Sequence, residues 1–185
     1  MNSATCSDAL APPYVPHDPA ALLELVELAR TTATIVEEHV AIESFTAAQV
    51  ADRLGPHHVP IVDTAHGLYR RSRRVRINPH TLRLIETAID AFTTGSKLYP
   101  PGGFLDWHTN SDHPGRRIYL IWNEAPGSFF RYKDPNSGRF HTVEDAVGWC
   151  FRTFVVAPAH TPPLWHCVYA AGDRFAMGFR TSNGT

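Results

Sequence analysis

The sequence predicts an α+β protein, a β-sandwich or barrel with helices packed on one side. Two observations carry that prediction. The first half holds amphipathic segments with clear capping residues. The second half holds short runs of aromatic and β-branched residues between Gly, Pro, Asn and Asp turns. A third observation sets the scale: 185 residues, 43% hydrophobic and 19% charged, make one domain large enough to bury a core. No repeat or linker marks a second unit.

The elements follow in order. Residues 1–17 are rich in Pro and Ala without periodicity and read as a loose arm. Asp18 is a helix cap and Pro19 suits the first helical position. A helix over 19–42 then carries Leu22, Leu25, Val26 and Leu28, and Thr31, Thr32 and Thr34 mark a break into two pieces. Thr46 and Gln49 form a capping box that opens a short helix ending at Gly55. The best helix runs over 79–94, with Asn78 as cap, Leu82, Ile85, Ile89 and Phe92 on one stripe, and Gly95 as stop. Residues 18–95 are therefore expected to be a mainly helical buttress, and 96–185 the β core. Strands are expected over 103–108, 117–123, 128–133, 139–143, 150–157, 164–170 and 174–180. Asp134–Gly138 and Ala171–Asp173 read as hairpin turns.

Composition excludes several classes of function. Net charge is −1, which gives no drive towards nucleic acid or an anionic membrane. No apolar run approaches the roughly 18–20 residues of a membrane helix. The first residues lack the basic and apolar regions of a signal peptide, so a cytoplasmic location is expected. Cys6, Cys150 and Cys167 are too few and too scattered for a disulfide framework or thiolate cage. The 17 basic residues are two lysines, Lys97 and Lys133, and fifteen arginines, five of them in the run Arg70-Arg71-Ser72-Arg73-Arg74-Val75-Arg76. That run reads first as a solvated face and second as a contact for an anionic substrate near a pocket mouth; a nucleic-acid role is disfavoured.

Chemistry concentrates on histidine. His108 ends one expected strand and His166 lies in another, at opposite ends of the β region. Non-heme Fe(II) is held by two histidines and one carboxylate on one face of an octahedron. Asn110 and Asp112 follow His108 closely. Arg174 lies eight residues beyond His166, across a turn read as a hairpin that would bring its guanidinium alongside, where it could grip a carboxylate in two places. Asp106 shares the face of His108 if the strand is regular. His113, His141 and His160 read as solvated, Cys167 as structural on the opposite strand face, and Trp107, Trp122, Trp149 and Trp165 as core or pocket wall.

From Leu98 to Arg180 the chain resembles the core of the Fe(II)/2-oxoglutarate-dependent oxygenases, nearest the prolyl-4-hydroxylase-like branch. The ordered elements are Tyr99, Gly102-Gly103, His108, Tyr119, His166-Cys167-Val168 and Gly172-Asp173-Arg174. The resemblance implies a double-stranded β-helix (a jelly-roll, cupin-like core) with Fe(II) at its open end and 2-oxoglutarate and O2 as cosubstrates. It implies that Arg174 binds the far carboxylate of 2-oxoglutarate, with Tyr119 or Tyr99 adding hydroxyl contacts, and that a small metabolite, amino acid or peptide is hydroxylated. Halogenation, desaturation or ring closure by the same apparatus is the alternative. A redox-inactive, metal-binding cupin-like protein is the alternative of another class. One position departs from the family, which has Asp or Glu two residues after the first histidine where this chain has Asn110. Asn110 has the family's position, while Asp112 has the charge. The expected metal set is His108, Asp112 and His166, with Asn110 as the alternative to Asp112.

Overall fold

The computed structural model describes residues 4–5, 16, 18–39, 45–60, 66, 69–158 and 161–181. Expectations for Cys6, His160 and most of the arm over 1–17 fall outside these residues.

Helix α1, Pro19–Thr32, starts where Asp18 accepts the backbone N–H groups of Ala20 and Ala21. It stops at Thr32. Thr34–His39 is not a second helical piece but a strand, β2, because the β-branched Thr34, Ile35 and Val36 pair readily with an extended neighbour. Helix α2, Ala47–Arg53, has the full Thr46–Gln49 capping box. Helix α3, Pro79–Ile89, is capped by Asn78 and ends at Asp90, whose φ of 47° is left-handed. The chain leaves it five residues earlier than the periodicity suggests. Ala91–Tyr99 forms strand β4, and Phe92 lies 61% exposed on that strand rather than on a helix stripe.

The other strands are β1 (Ala4–Thr5), β3 (Arg70–Arg76), β5 (Phe104–His108), β6 (Gly115–Asn123), β7 (Phe129–Lys133), β8 (Phe140–Glu144), β9 (Gly148–Val156), β10 (His166–Tyr169) and β11 (Arg174–Thr181). They run in the order β1-β9-β6-β11-β4-β3-β5-β10-β7-β8, with β2 added on β3. Except for β1 on β9 the pairings are antiparallel. The arginine-rich β3 is where the sheet folds over. Arg70 and Arg71 pair with β5, while Arg73 and Arg74 pair with β4. The two halves then face one another as a jelly roll, the double-stranded β-helix.

Three hydrophobic layers hold it. Leu22, Val26 and Ala29 of α1 and Ile85 and Ile89 of α3 pack on Ile118, Leu120, Phe175, Met177 and Phe179 of β6 and β11. Between the halves lie Tyr99, Ile121, Phe130, Tyr132, Phe154, Val168 and Ala176. On the far side, Val50 of α2 and Leu54 just after it cover Phe104, Trp107, Trp165 and Cys167. The two long helices thus share one side, and short α2 backs the other. All four tryptophans belong to these layers or pack against them. Trp149 donates to Glu27 of α1 at 3.0 Å, which ties helix to sheet. Among the described residues no helix is long and apolar enough to cross a membrane.

Ile85 has no exposed surface and sits between both helices and the sheet. Ile85→Ala should cost about 2–5 kcal/mol, read as a lower urea midpoint with unchanged slope.

Candidate metal centre

His108 and His166 are neighbours across the β5–β10 ladder, directly opposite in register, although 58 residues separate them in sequence. Their ring centroids are 4.0 Å apart. A register shift sets this up: His166 faces His108, yet Val168 faces Leu105, so three steps on β5 match two on β10. That is a bulge, and it re-aims the strand. Leu105 and His108 line the cavity between the halves, while Trp107 turns outward under α2. Asp106 therefore does not share the face of His108 as a regular strand would require. Its carboxylate meets Arg53 of α2 at 2.9 Å, and its backbone carbonyl accepts from His108 Nδ1 at 2.8 Å.

His166 Nδ1 donates in the same way to the Leu164 carbonyl at 3.0 Å. A carbonyl only accepts, so both Nδ1 atoms carry the proton and both Nε2 atoms are acceptors, that of His166 taking the Asn110 Nδ2 hydrogen bond at 3.0 Å. Burial holds both imidazoles neutral. It pushes His166 down to about 4, and His108 falls well below the usual imidazole range through burial and then the charge of His166. Phe130 and Phe154 flank the His166 ring at 5.3 and 5.2 Å. Two neutral, buried imidazoles with oriented Nε2 atoms are a fit donor pair for Fe(II).

The chain after His108 turns rather than continuing as a strand. Asn110 has φ of 56°, a left-handed conformation that Asn tolerates, and its carbonyl accepts from the His113 N–H at 3.1 Å. It therefore reaches the histidines by this turn and not by strand alternation. Its Nδ2 lies 3.0 Å from His166 Nε2, and its side chain also hydrogen-bonds the Tyr119 hydroxyl. Asp112 lines the same cavity, but its carboxylate lies 3.4 Å from His66 and 3.5 Å from His113, towards the mouth.

The cavity is about 220 Å³. Arg174 lines it and is buried, although β11 pairs with β4 and β6 and not with β10. The Ala171–Asp173 turn is thus a crossing from one half to the other rather than a hairpin. Gly172 allows that crossing because a Cβ there would lie 2.9 Å from the Ala125 Cβ. Arg174 Nε donates to Asp145 at 2.8 Å, and Arg152 donates to the other oxygen of the same carboxylate at 2.7 Å. Tyr99 lies beneath the Arg174 guanidinium, 5.4 Å from ring centre to Cζ, and burial lifts its phenol to about 12. Tyr119 stacks on Phe154 at 5.5 Å. Gly178 makes room for it, since a Cβ there would sit 3.0 Å from the Tyr119 ring. His113 and His141 are exposed, and Cys167 lies in the outer layer with its thiol pushed up by burial.

Four lining or clamping residues were not singled out from sequence: Asp145, Arg152, Lys97 and Arg117. The last three share strand parity with Phe154, Tyr99 and Tyr119, so period-2 alternation pointed to them. Nothing in the sequence around Asp145 marks it.

No family model matches the chain, and no curated protein does either. Among solved structures it is similar to a prolyl-4-hydroxylase of Pseudomonas putida, at 22% identity over 57% of this chain, with TM-score 0.34. The chain spans 62% of the length of that protein. It is also similar to a 2OG-Fe(II) oxygenase family oxidoreductase of Burkholderia pseudomallei, at 13% identity over 95% of this chain and 98% of that one, with TM-score 0.41. A third similar structure is a Trichoplax adhaerens prolyl hydroxylase in complex with a hypoxia-inducible-factor peptide fragment, at 11% identity over 87% and 90% of the two chains, with TM-score 0.44.

Asp145 is the one carboxylate between two buried guanidiniums. Burial alone would raise its pKa, but Arg174 and Arg152 outweigh this and hold it below the usual carboxylate value. Asp145→Asn strands both charges and should cost about 3–5 kcal/mol. A lowered folded-state pKa means that the wild-type advantage is complete above the unfolded value of about 3.9 and lost as pH falls through the folded one. Urea melts of both proteins from neutral pH to about pH 3 check this: the gap should be flat and then begin to narrow below about pH 4.

Proposed function

We propose that the chain is a non-heme Fe(II)/2-oxoglutarate-dependent oxygenase that hydroxylates an unactivated C–H of a small metabolite, amino acid or peptide. One observation carries the reading. Two neutral imidazoles, tied back through Nδ1, turn their Nε2 atoms into an enclosed cavity that also holds the buried Arg174. The order Tyr99, His108, Tyr119, His166, Arg174 and its resemblance to that family support it independently.

His108 and His166 would hold the metal. For the third donor, local geometry favours Asn110 over Asp112. Its carboxamide is already 3.0 Å from His166 Nε2, and a half-turn about its last bond presents Oδ1 in place of Nδ2. Tyr119 steadies that amide. The Asp112 carboxylate is engaged by two imidazoles nearer the mouth.

Iron with 2-oxoglutarate and O2 supplies the oxidation, converting the organic acid to succinate and CO2 as an oxygen atom enters the substrate. The protein supplies position. Arg174, braced through Nε by Asp145, keeps its terminal nitrogens for the far carboxylate of 2-oxoglutarate. Tyr99 lies against it. Phe130, Phe154, Leu105 and Val168 wall the cavity and limit water around the reacting C–H. The neutral residue at 110 also supports a second reading, a metal-binding protein without turnover. Succinate formation separates the two.

Iron content measured by mass spectrometry should fall to background in His108→Ala and in His166→Ala. Asn110→Asp should tighten Fe(II) and Asp112→Asn should leave it little changed; the reverse pattern would assign the third position to Asp112. Arg174→Ala removes a paired charge from a buried carboxylate, at about 2–5 kcal/mol, so 2-oxoglutarate affinity by calorimetry should drop about 30-fold or more.

A further inference from the structure

The organic acid held at Arg174 would leave much of the cavity's cationic surface untouched. Arg70, Lys97 and Arg117 also line it. Among the described residues no carboxylate forms an ion pair with any of the three. Arg117 is 3% exposed; one terminal nitrogen donates to the His113 carbonyl at 2.6 Å, while its Nε has no hydrogen-bond partner. An orphaned guanidinium N–H in a buried wall is costly unless a ligand accepts it. Lys97 stands directly opposite Arg74 on the neighbouring strand, a like-charge pair that destabilises a sheet. Burial, then Arg70 and Arg74, pull its ammonium down to about 8. Among the described residues the one acid lining the cavity, Asp112, already has His66 and His113 beside it.

The surroundings say what kind of anion fits. Lys97 and Arg70 come from the β4 and β3 wall, and Arg117 comes from β6 across β11. The same cavity lining includes the apolar Ile121, Phe130, Phe154, Leu105 and Ala176. Gly95 leaves open space, since a Cβ built on it meets nothing within 4 Å. We propose that this half of the cavity binds the anionic head of a second ligand with an apolar body, a small carboxylic acid or phosphate monoester, held by Lys97 and Arg70 from one wall and Arg117 from the other. On the oxygenase reading this ligand is the substrate, its head anchored at the cations and its body laid past the histidine pair. The binding itself does not depend on that reading. It also gives Arg70, first of the five clustered arginines, a ligand to meet.

The test uses the full chain and three probes of one shape: benzoate, phenyl phosphate and benzamide, titrated by NMR shift perturbation with and without saturating 2-oxoglutarate. At least one of the two acids should bind, and the tighter one identifies the head group. Neutral benzamide should bind about tenfold more weakly or not at all, as the loss of a charge-assisted hydrogen bond implies. Lys97→Met or Arg117→Gln should weaken the acid about tenfold, with folding checked by circular dichroism. Arg70→Ala, at a partly exposed position, stands in if Arg117→Gln does not fold. Saturating 2-oxoglutarate should leave the acid bound. Four results overturn the proposal: no saturable binding of either acid, equal binding of benzamide, full affinity in the folded variants, or competitive displacement by 2-oxoglutarate. None of these touches iron uptake in the histidine variants, so a failure here is distinct from failure of the oxygenase reading.

Discussion

The bulge in β5 is the constraint on which the site depends. Without the bulge, regular alternation over the same residues would send Leu105 and Trp107 to the same face and turn His108 outward towards α2. With it, Trp107 fills the outer layer and donates through Nε1 to the Gly55 carbonyl at 3.2 Å, while His108 turns inward opposite His166. The freed backbone is used as well. The Asp106 carbonyl orients His108, and the Asp106 carboxylate fastens the bulge to Arg53, whose guanidinium lies 3.8 Å above the Tyr69 ring. Helix α2 and the residues that follow it thereby hold the strand that carries His108 from behind. The short helix is part of how the histidine is aimed.

The Arg174–Asp145–Arg152 cluster is the second fixed point. A buried guanidinium needs a counter-charge. Asp145 takes Nε of Arg174 and a terminal nitrogen of Arg152, one oxygen each. Both arginines are thereby held in orientation where they line the cavity. The cluster also joins β11 to β9 through the segment that follows β8, so the geometry of the anion end and the closure of the jelly roll rest on the same three side chains.

How far the sequence foretold this depends on whether the information was local. Capping is local, and Asp18, Thr46 and Asn78 act where their side-chain chemistry says they should. Alternation is nearly local, and the later strands fall close to their expected limits. What failed was long-range. Thr34–His39 and Ala91–Thr94 had helical neighbours in sequence but strand partners in space, and pairing with β3 and β11 decided their state. The arginine run was read as a solvated face, and Arg71, Arg74 and Arg76 are exposed, but its pairing with β2, β4 and β5 was not legible because those strands are remote from it in sequence. The adjacency of His108 and His166 was implied by their resemblance to a family, not by spacing. The bulge, which moves Asp106 off the site, left no mark in FLDWH. Asn110 shows the same limit on a smaller scale: its left-handed turn depends on how the chain leaves β5, and that turn decides which of two nearby side chains meets the histidines.

Charge connects the two ends of the cavity. At Arg174 two guanidiniums share one carboxylate, so that end is net positive. Arg70, Lys97 and Arg117 also line the cavity, and Asp112, which lines it too, is already flanked by two imidazoles. His108 and His166 are neutral, and Asn110 adds no charge. On the oxygenase reading a bare divalent ion would enter a site with cations on both sides and no anionic donor among its ligands. A dicarboxylate removes both obstacles, one carboxylate meeting Arg174 and the other offsetting the metal. Metal and organic acid then favour each other's binding, and by reciprocity by the same factor. A carboxylate at position 110 would bind the metal more tightly alone and make it less dependent on the acid. The neutral side chain at that position therefore makes each ligand's binding depend more strongly on the other's.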